Sequence, residues 1–280
     1  MKQVVVVTDS SANLPANLAQ RLNIRVVPIL LALNGQSFRD GVDITAGDVY
    51  RWQRSNKQLP TTSAPSIGDF VRVYASAAQD AKGIVSIHLP PKLSATYSAA
   101  LAASELVDGT PIRVVNCHTV AMGQGFVALE AARAAASGAD LDAVVARAEV
   151  VASKMTVLAT IDTLEYLYRG GRIGGAAALL GTMLQIKPIL FVADGYVDVF
   201  AKPRTKGKAL RTILNRVAEQ AGHQPLHAAI LHAGVPEEAE ELREQVEAGF
   251  HCVELYVTEM TPVMGAHTGP GVLGIVFYTD

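Results

Sequence analysis

Residues 4–33 read VVVVTDSSANLPANLAQRLNIRVVPILLAL, and the order of patterns in this stretch decides the fold class. The run of valines ends at the polar residues 8–11, which predicts a short strand followed by a turn. A helix is predicted over residues 15–22 and a second strand over 24–33, up to an Asn34-Gly35 turn. A strand, a helix and a strand in succession are typical of an α/β fold with a parallel sheet.

The same alternation continues along the rest of the chain. In the second half, strands at residues 189–193 and 196–201 flank an Asp194-Gly195 pair, which predicts a β-hairpin. Two consecutive helices before residue 154 give way to a strand-rich half. We therefore predict an α/β protein of two domains, residues 1–154 and 155–280. Their sheets are expected to be mostly parallel with helices on both faces.

Composition argues against several classes of protein. Half of the 280 residues are hydrophobic and the mean hydropathy is +0.25, yet no stretch reaches the roughly 18 uncharged apolar residues of a membrane-spanning helix. The first residues read as a strand rather than a secretory signal, so a cytoplasmic protein is expected. A net charge of −2 with dispersed basic residues argues against nucleic acid as a partner. Cys117 and Cys252 lack metal-site spacing, which predicts free thiols and no metal.

A long uncharged segment lies in the second half. The fourteen residues IGGAAALLGTMLQI at 173–186 separate Arg172 from Lys187 and follow the pair Gly170-Gly171. By its length the segment predicts a buried helix. That helix could be ordinary core, or it could enclose an apolar ligand whose acidic group is held by the nearby arginines. An amphiphile with a long apolar body and an acidic head fits the second interpretation.

Polar residues follow several predicted strands, at the sheet edge where ligands bind in open α/β folds. These segments are Thr8-Asp9-Ser10-Ser11, Thr61-Thr62-Ser63, Ser94-Ala95-Thr96-Tyr97 and His267-Thr268-Gly269-Pro270-Gly271. Hydroxyls and the backbone N–H groups of helix N-termini bind anions. Because the segments contain no lysine, one carboxylate fits them better than a polyphosphate.

Each of these residues also has a purely structural interpretation. The residues that could be simple helix caps are Thr62, Ser63, Ser66, Ser94 and Thr96. Ser66 with Asp69 has the spacing of a capping box. His267 lies in a Gly/Pro-rich predicted loop and could satisfy a loop carbonyl. Arg172 and Arg204 could be solvated surface arginines.

Motifs of self-contained catalysis are missing from the sequence. It has no GxGxxG after a strand, no P-loop, no GxSxG elbow and no HExxH. We therefore expect neither a cofactor nor a catalytic residue in this chain.

Seven segments, taken in order, resemble the DegV family, the bacterial fatty-acid-binding proteins that serve as the lipid-carrying subunit of fatty acid kinase. The segments are VTDSSANLP at 7–15, TTSAPSIGDF at 61–70, LSATYSAA at 93–100, LEYLYRGGRI at 164–173, IKPIL at 186–190, PRTKGKAL at 203–210 and GAHTGPGVLG at 265–274. The resemblance runs nearly from end to end. It implies two α/β domains that clamp a long-chain fatty acid as ligand at the domain junction, with the chain in an apolar tunnel and the carboxylate near the junction.

The resemblance also implies roles for individual residues. It places the carboxylate of the fatty acid at Thr62, Ser94 and His267. The neighbouring ligand-binding positions are Ser63, Thr96 and Thr268. Arg172 and Arg204 match arginines that the family associates with a phosphoryl-transfer surface. A separate ATP-dependent kinase subunit turns the bound lipid into an acyl phosphate, so this chain is expected to be a carrier and not an enzyme.

The chain departs from the family pattern in one loop. Ala95 stands where the family has glycine, which restricts the backbone if the position needs a positive φ. Pro90-Pro91-Lys92 replaces a more flexible lead-in, and Lys92 adds a charge near the expected head group.

Two other functions stay open. The substrate-binding subunit of a small-ketose (dihydroxyacetone-type) kinase has a similar general architecture, but a triose needs no apolar tunnel. A regulatory or DNA-binding protein is disfavoured by the mild acidity of the chain. We further expect a monomer, a transient contact with membranes, and a lid around Thr182 and Met183 that opens for lipid exit.

Overall fold

The computed structural model describes residues 3–56, 58–181, 186–193 and 195–280, and the α/β class is confirmed. Its strands are β1 (Gln3–Asp9), β2 (Arg25–Val27), β3 (Leu30–Leu33), β4 (Gln36–Arg39), β5 (Thr61–Ser63), β6 (Ala81–His88), β7 (Ile112–Asn116), β8 (Thr156–Thr160), β9 (Ile189–Ala193), β10 (Tyr196–Ala201), β11 (Leu226–His232), β12 (Cys252–Glu259) and β13 (Leu273–Thr279). Its helices are α1 (Ala16–Arg21), α2 (Ala46–Ser55), α3 (Ile67–Ala78), α4 (Thr96–Ser104), α5 (Met122–Ala136), α6 (Leu141–Lys154), α7 (Glu165–Arg169), α8 (Lys206–Ala221), α9 (Pro236–Gly249) and α10 (Pro262–Thr268). In these residues no helix is long and apolar enough to cross a bilayer.

Four parallel strands form the main sheet of the first half, in the order β2-β1-β6-β7. Successive side chains of a strand point to opposite faces, so the valines of β1 serve two cores. Val5 and Val7 pack with side chains of α3 and α4, whereas Val4 and Val6 pack with those of α5 and α6. Helices thus cover both faces of this sheet, and the carboxyl ends of its strands meet at one edge.

The strand predicted over residues 24–33 is divided between two sheets. Pro28 has no backbone N–H and interrupts the ladder, so β2 ends at Val27 and β3 begins at Leu30. β3 pairs with β4 and β5 in a small antiparallel sheet. The predicted Asn34-Gly35 turn joins β3 to β4, and both residues have the positive φ of a type I′ turn, 49° and 78°.

A mixed six-stranded sheet occupies the second half, in the order β10-β9-β8-β13-β11-β12. The prediction of mostly parallel strands holds for the first sheet but not for this one. Here β11 and β12 run parallel, and the other four pairs of described strands are antiparallel. Parallel neighbours need a crossover connection, which α9 provides between β11 and β12. β9 and β10 are joined by the predicted hairpin, whose Asp194 lies outside the described residues.

The two halves share a hydrophobic core. Phe126 of α5 packs against Tyr278 of β13, with 5.6 Å between the ring centroids. α10 comes late in the chain but packs on α2 of the first half. The predicted boundary between residues 154 and 155 falls between α6 and β8. That the halves are separate domains stays a prediction.

Candidate ligand-binding cavity

A cavity of about 410 Å³ is lined by residues of both halves. This volume lies within the roughly 300–1,000 Å³ that is usual for small-molecule sites. Most of its wall is apolar and comes from strands and from the loops that follow them. Representative apolar lining residues are Leu89, Val157, Ala159, Leu190, Val197 and Leu231.

Polar side chains from distant parts of the chain meet at the cavity wall. The hydroxyl oxygen of Thr62 lies 2.7 Å from Nε2 of His267. Arg172 lines the same cavity, and its charge acts on His267. Nε of Arg172 donates to the carbonyl of Leu93 at 3.1 Å, next to the lining residue Ser94. The structure therefore brings the three predicted carboxylate positions to one cavity.

Thr62 and Ser63 lie on β5, before the helix that they could have capped. The cap of α3 is Ser66, whose hydroxyl accepts from the N–H of Asp69 at 3.1 Å, while the Asp69 carboxylate accepts from the Ser66 N–H at 2.8 Å. The predicted capping box is confirmed. Because α3 is capped by Ser66, Thr62 and Ser63 are left as lining residues of the cavity.

His267 lies on helix α10, and the prediction of a loop at this position is wrong. The helix begins with Thr261, whose hydroxyl accepts from the N–H of Met264, and with Pro262 in its first turn. It ends at Gly269, which has a φ of 74°. Proline just inside a helix start and glycine just after its end are a recognised pair of signals. These signals were present in the sequence around His267.

Two buried polar side chains of the first half hold α10 in place, and neither was predicted. Nε2 of Gln53 donates to the carbonyl of Gly265 at 3.1 Å. A carboxylate oxygen of Asp40 accepts from the N–H of Val263 at 2.9 Å, at the start of the helix. These partners are more than 200 residues apart in sequence. No local pattern marks such contacts, so sequence reasoning had no signal for them.

The imidazole of His267 is neutral at neutral pH. Burial, reinforced by the positive charge of Arg172, lowers the pKa of His267 to about 4. Nδ1 has no hydrogen-bond partner among the described residues. The single ring proton is therefore better placed on Nε2, where it donates to the Thr62 hydroxyl oxygen. The Thr62 hydroxyl is then able to direct its own hydrogen into the cavity.

Arg172 links the two halves beside this pair. Its Nη1 donates to the carbonyl of Gly170 at 2.6 Å, in addition to the bond from Nε to Leu93. Gly170 allows a close approach of the imidazole, since a Cβ there would lie 2.5 Å from Nδ1 of His267. A guanidinium carries five N–H donors, so these two bonds leave donors for an anion in the cavity.

Ser94 and Thr96 differ in their position relative to the cavity wall. Ser94 lines the cavity, whereas Thr96 is fully buried beside it and is not part of the wall. The two hydroxyl oxygens lie 2.8 Å apart, and the Thr96 N–H donates to the Ser94 oxygen at 3.2 Å. Thr96 therefore orients Ser94. Ala95 has a φ of −73°, which any residue adopts, so alanine in place of the family's glycine causes no backbone strain here.

Thr268 and Arg204, the remaining predicted positions, also differ in whether they line the cavity. Thr268 lines the cavity, but its hydroxyl donates to the carbonyl of Met264 at 3.0 Å. Arg204 does not line the cavity and is exposed between β10 and α8. Of the two arginines that were predicted to share a surface, Arg172 is in the cavity wall and Arg204 is outside it.

The uncharged segment at residues 173–186 differs from the buried, ligand-enclosing helix that was predicted there. Its described part contains a 3₁₀ turn, Gly174–Leu179, and residues 174–181 do not line the cavity. Glycine weakens α-helices, and Gly174 has a φ of 53° outside the helical region. The apolar wall among the described residues comes instead from strands, from the loops beside them and from residues of α7 and α10. The predicted lid residues Thr182 and Met183 lie outside the described residues.

Ser11 also lines the cavity, and it belongs to a polar segment that the sequence placed at the sheet edge. Its hydroxyl donates to Asp9, and a carboxylate oxygen of Asp9 lies 2.7 Å from Nδ1 of His88. Nε2 of His88 lies 2.7 Å from the Ser86 hydroxyl. Asp9, His88 and Ser86 are fully buried and do not line the cavity. This Asp–His–Ser series therefore supports the fold and offers no accessible nucleophile.

Metal ligation finds no support in the part of the chain that the structure describes. No cluster of His, Cys, Asp and Glu side chains there could hold an ion. Cys117 and Cys252 are free thiols, as predicted.

The fold and the site together define a class of α/β protein with two main sheets and an internal, largely apolar cavity that has a polar region in its wall. A family model described as "Uncharacterised protein, DegV family" matches residues 3–280. The chain belongs to the DegV family.

Similar proteins cover the chain from end to end. A DegV domain-containing protein of Streptomyces coelicolor is 38% identical, with 98% of each chain covered. The structure of a DegV family protein from Thermus thermophilus, described by its fatty acid binding, has a TM-score of 0.95 and 36% identity, with 99% of this chain and 100% of that chain covered. DegV of Bacillus subtilis, described as a fatty acid binding protein, has a TM-score of 0.93 and 31% identity over 100% of both chains.

Proposed function

We propose that this protein binds a long-chain fatty acid, with the carboxylate at Thr62, Ser94 and His267 and the chain along the apolar wall. The observation that carries the proposal is the Thr62–His267 pair beside Arg172, in the wall of an otherwise largely apolar cavity. The two similar proteins from Thermus and Bacillus are described as binding fatty acids, which supports it.

The polar residues suit an ionised carboxylate. A carboxylate is charged at neutral pH and costly to bury without donors. The hydroxyls of Thr62 and Ser94 are donors, and Arg172 contributes positive charge. His267 acts through Thr62, because its Nε2–H holds the oxygen of that hydroxyl and leaves the hydrogen for the ligand.

The apolar wall suits the hydrocarbon chain. Each buried methylene stabilises a complex by about 0.8 kcal/mol, before the costs of ordering the ligand. A chain of sixteen to eighteen carbons is therefore expected to stay bound through purification. A triose has no methylene chain to fill such a wall, so the cavity does not favour the small-ketose alternative.

We also infer that the bound lipid is presented to a separate ATP-dependent kinase subunit, which phosphorylates the carboxylate. Arg204 is exposed and free to contact such a partner surface. Arg204→Ala is expected to retain lipid like the parent and to slow acyl phosphate formation. Arg172→Ala is expected to lose lipid, because Arg172 lies in the cavity wall. Parallel assays of bound lipid and of acyl phosphate with the kinase subunit test both expectations.

Solvent extraction of the purified protein, followed by mass spectrometry, tests the binding function. The parent is expected to yield a fatty acid, and His267→Ala is expected to yield much less. His223→Ala is the matched control, since His223 is exposed and does not line the cavity. An empty parent protein contradicts the proposal, and a covalent triose adduct on the intact chain supports the ketose-kinase alternative.

A further inference from the structure

The loop at residues 90–95, which carries Ser94, contacts the β9–β10 hairpin of the other half. Nζ of Lys92 lies 4.1 Å from the centroid of the Tyr196 ring, a cation–π contact. At the hairpin turn, Gly195 is buried against the same loop. A Cβ at Gly195 would lie 2.9 Å from Cβ of Pro90, and its φ of 77° also favours glycine.

Both partners of this contact contribute to the cavity wall. Leu93 and Ser94 of the loop line the cavity, as do Val192 and Val197 of the hairpin strands. Arg172 holds the carbonyl of Leu93 from a third element. Separating the loop from the hairpin would therefore open the wall beside Ser94.

We propose that Lys92 and Tyr196 are positioning residues, which hold the Ser94 loop against the hairpin and slow the release of bound lipid. The inference rests on the proposed fatty acid binding. Pro90 and Pro91 restrict the backbone of the loop, so the loop moves as a unit when its contact to the hairpin is lost. The strength of an exposed cation–π contact corresponds to about a two- to fivefold change in release rate.

The test measures lipid exchange. Each protein is loaded with perdeuterated palmitic acid, mixed with an excess of unlabelled palmitic acid, and followed by native mass spectrometry. Lys92→Met and Tyr196→Leu are expected to exchange about two- to fivefold faster than the parent. Tyr196→Leu keeps the charge of Lys92, so faster exchange in this variant is not an effect of lost charge near the carboxylate.

Conservative variants and a matched control separate positioning from general destabilisation. Lys92→Arg and Tyr196→Phe retain a cation and a ring, and are expected to exchange at the parent rate. Lys208→Met, on an exposed lysine outside the cavity wall, is also expected to match the parent. Equal exchange rates in all variants, or conservative variants that exchange as fast as Lys92→Met and Tyr196→Leu, would overturn this inference but not the proposed function. A parent that takes up no palmitic acid would overturn the proposed function as well.

Discussion

The imidazole of His267 carries a prediction about protonation. Burial and the charge of Arg172 lower its pKa to about 4, whereas an unperturbed histidine titrates near ~6.5. In the lipid-free protein, the ring resonances of His267 followed by NMR are expected to titrate near pH 4. Titration of His267 near 6.5 would show that its ring is not held neutral.

The lowered pKa of His267 also affects how the stability of the fold depends on pH. Between about pH 4 and 6.5 the unfolded chain binds a proton at His267 that the folded chain does not bind. The contribution of His267 to stability is therefore complete above about pH 6.5 and is lost as the pH falls towards 4. The variant His267→Gln is expected to lose less stability over this interval than the parent does in urea unfolding.

Thr62 and Thr268 offer a matched pair of threonines in one cavity. The Thr62 hydroxyl oxygen lies 2.7 Å from Nε2 of His267, and with the ring proton on that nitrogen its own hydrogen is available to the ligand. The Thr268 hydroxyl instead donates to a backbone carbonyl. A hydrogen bond to a charged group contributes about 1.5–3 kcal/mol. Thr62→Val is therefore expected to weaken fatty acid binding about tenfold or more, measured by displacement of a fluorescent fatty acid. Equal losses for Thr62→Val and Thr268→Val would argue against a direct role for Thr62.

For the residues of the site, sequence patterns and family resemblance predicted different things. The polar segments at the sheet edge were visible in the sequence, and each contributes at least one lining residue. That Thr62 meets His267, 205 residues away, came from the resemblance and not from any local pattern. The roles of Gln53 and Asp40 under α10 were not predicted, because burial and long-range pairing are properties of the folded chain.

The short elements show which local sequence signals are strong enough to predict structure. The Asn34-Gly35 turn and the Ser66–Asp69 capping box are fixed by neighbouring residues, and both were predicted correctly. Helix α10 has only seven residues, and the glycines around it resemble a loop. The antiparallel pairs of the six-stranded sheet depend on which strands become neighbours, and periodicity along one strand does not encode that choice.

The capping box of α3 belongs to the element that follows Thr62 and Ser63. Replacing a Ser cap by Ala costs about 1 kcal/mol. Ser66→Ala is expected to lower the free energy of unfolding by that amount in urea denaturation. Ser98→Ala is the matched control, because Ser98 lies on the exposed side of α4. The control is expected to change stability by less than about 0.5 kcal/mol, and an equal loss in both variants would contradict the importance of the cap.

Across the whole molecule, a network of charges joins the two halves away from the cavity. Both terminal nitrogens of Arg133 on α5 donate hydrogen bonds to the carboxylate of Glu254 on β12, at 2.6 and 2.9 Å. The same carboxylate lies 2.7 Å from Nδ1 of His227 and accepts from the Tyr256 hydroxyl at 2.7 Å. The other charged groups that face this network are Glu130, Arg147 and Asp280. Glu254 thus connects the two halves electrostatically.

The network gives stability an optimum in pH. Burial opposes ionisation of Glu254, but its hydrogen bonds to Arg133, His227 and Tyr256 outweigh burial and hold its pKa well below the usual range. Its contribution is therefore complete above about pH 5 and is lost as the pH falls. Burial lowers the pKa of His227, but the bond to Glu254 and the nearby negative charges outweigh it and raise the net pKa. That contribution is complete below about pH 6.5 and is lost as the pH rises.

Replacing Glu254 by Gln tests whether this network holds the halves together. The expected loss is about 2–3 kcal/mol in urea unfolding at pH 6, at the low end for a buried ion pair because a third of Arg133 is exposed. The variant is also expected to depend less on pH on both sides of the optimum, since His227 loses its charged partner. Glu240→Gln, in an exposed pair with Arg243, is the control and is expected to cost under about 1 kcal/mol. Equal losses in the two variants would mean that the halves are held by apolar packing, such as that of Phe126 on Tyr278, and not by these charges.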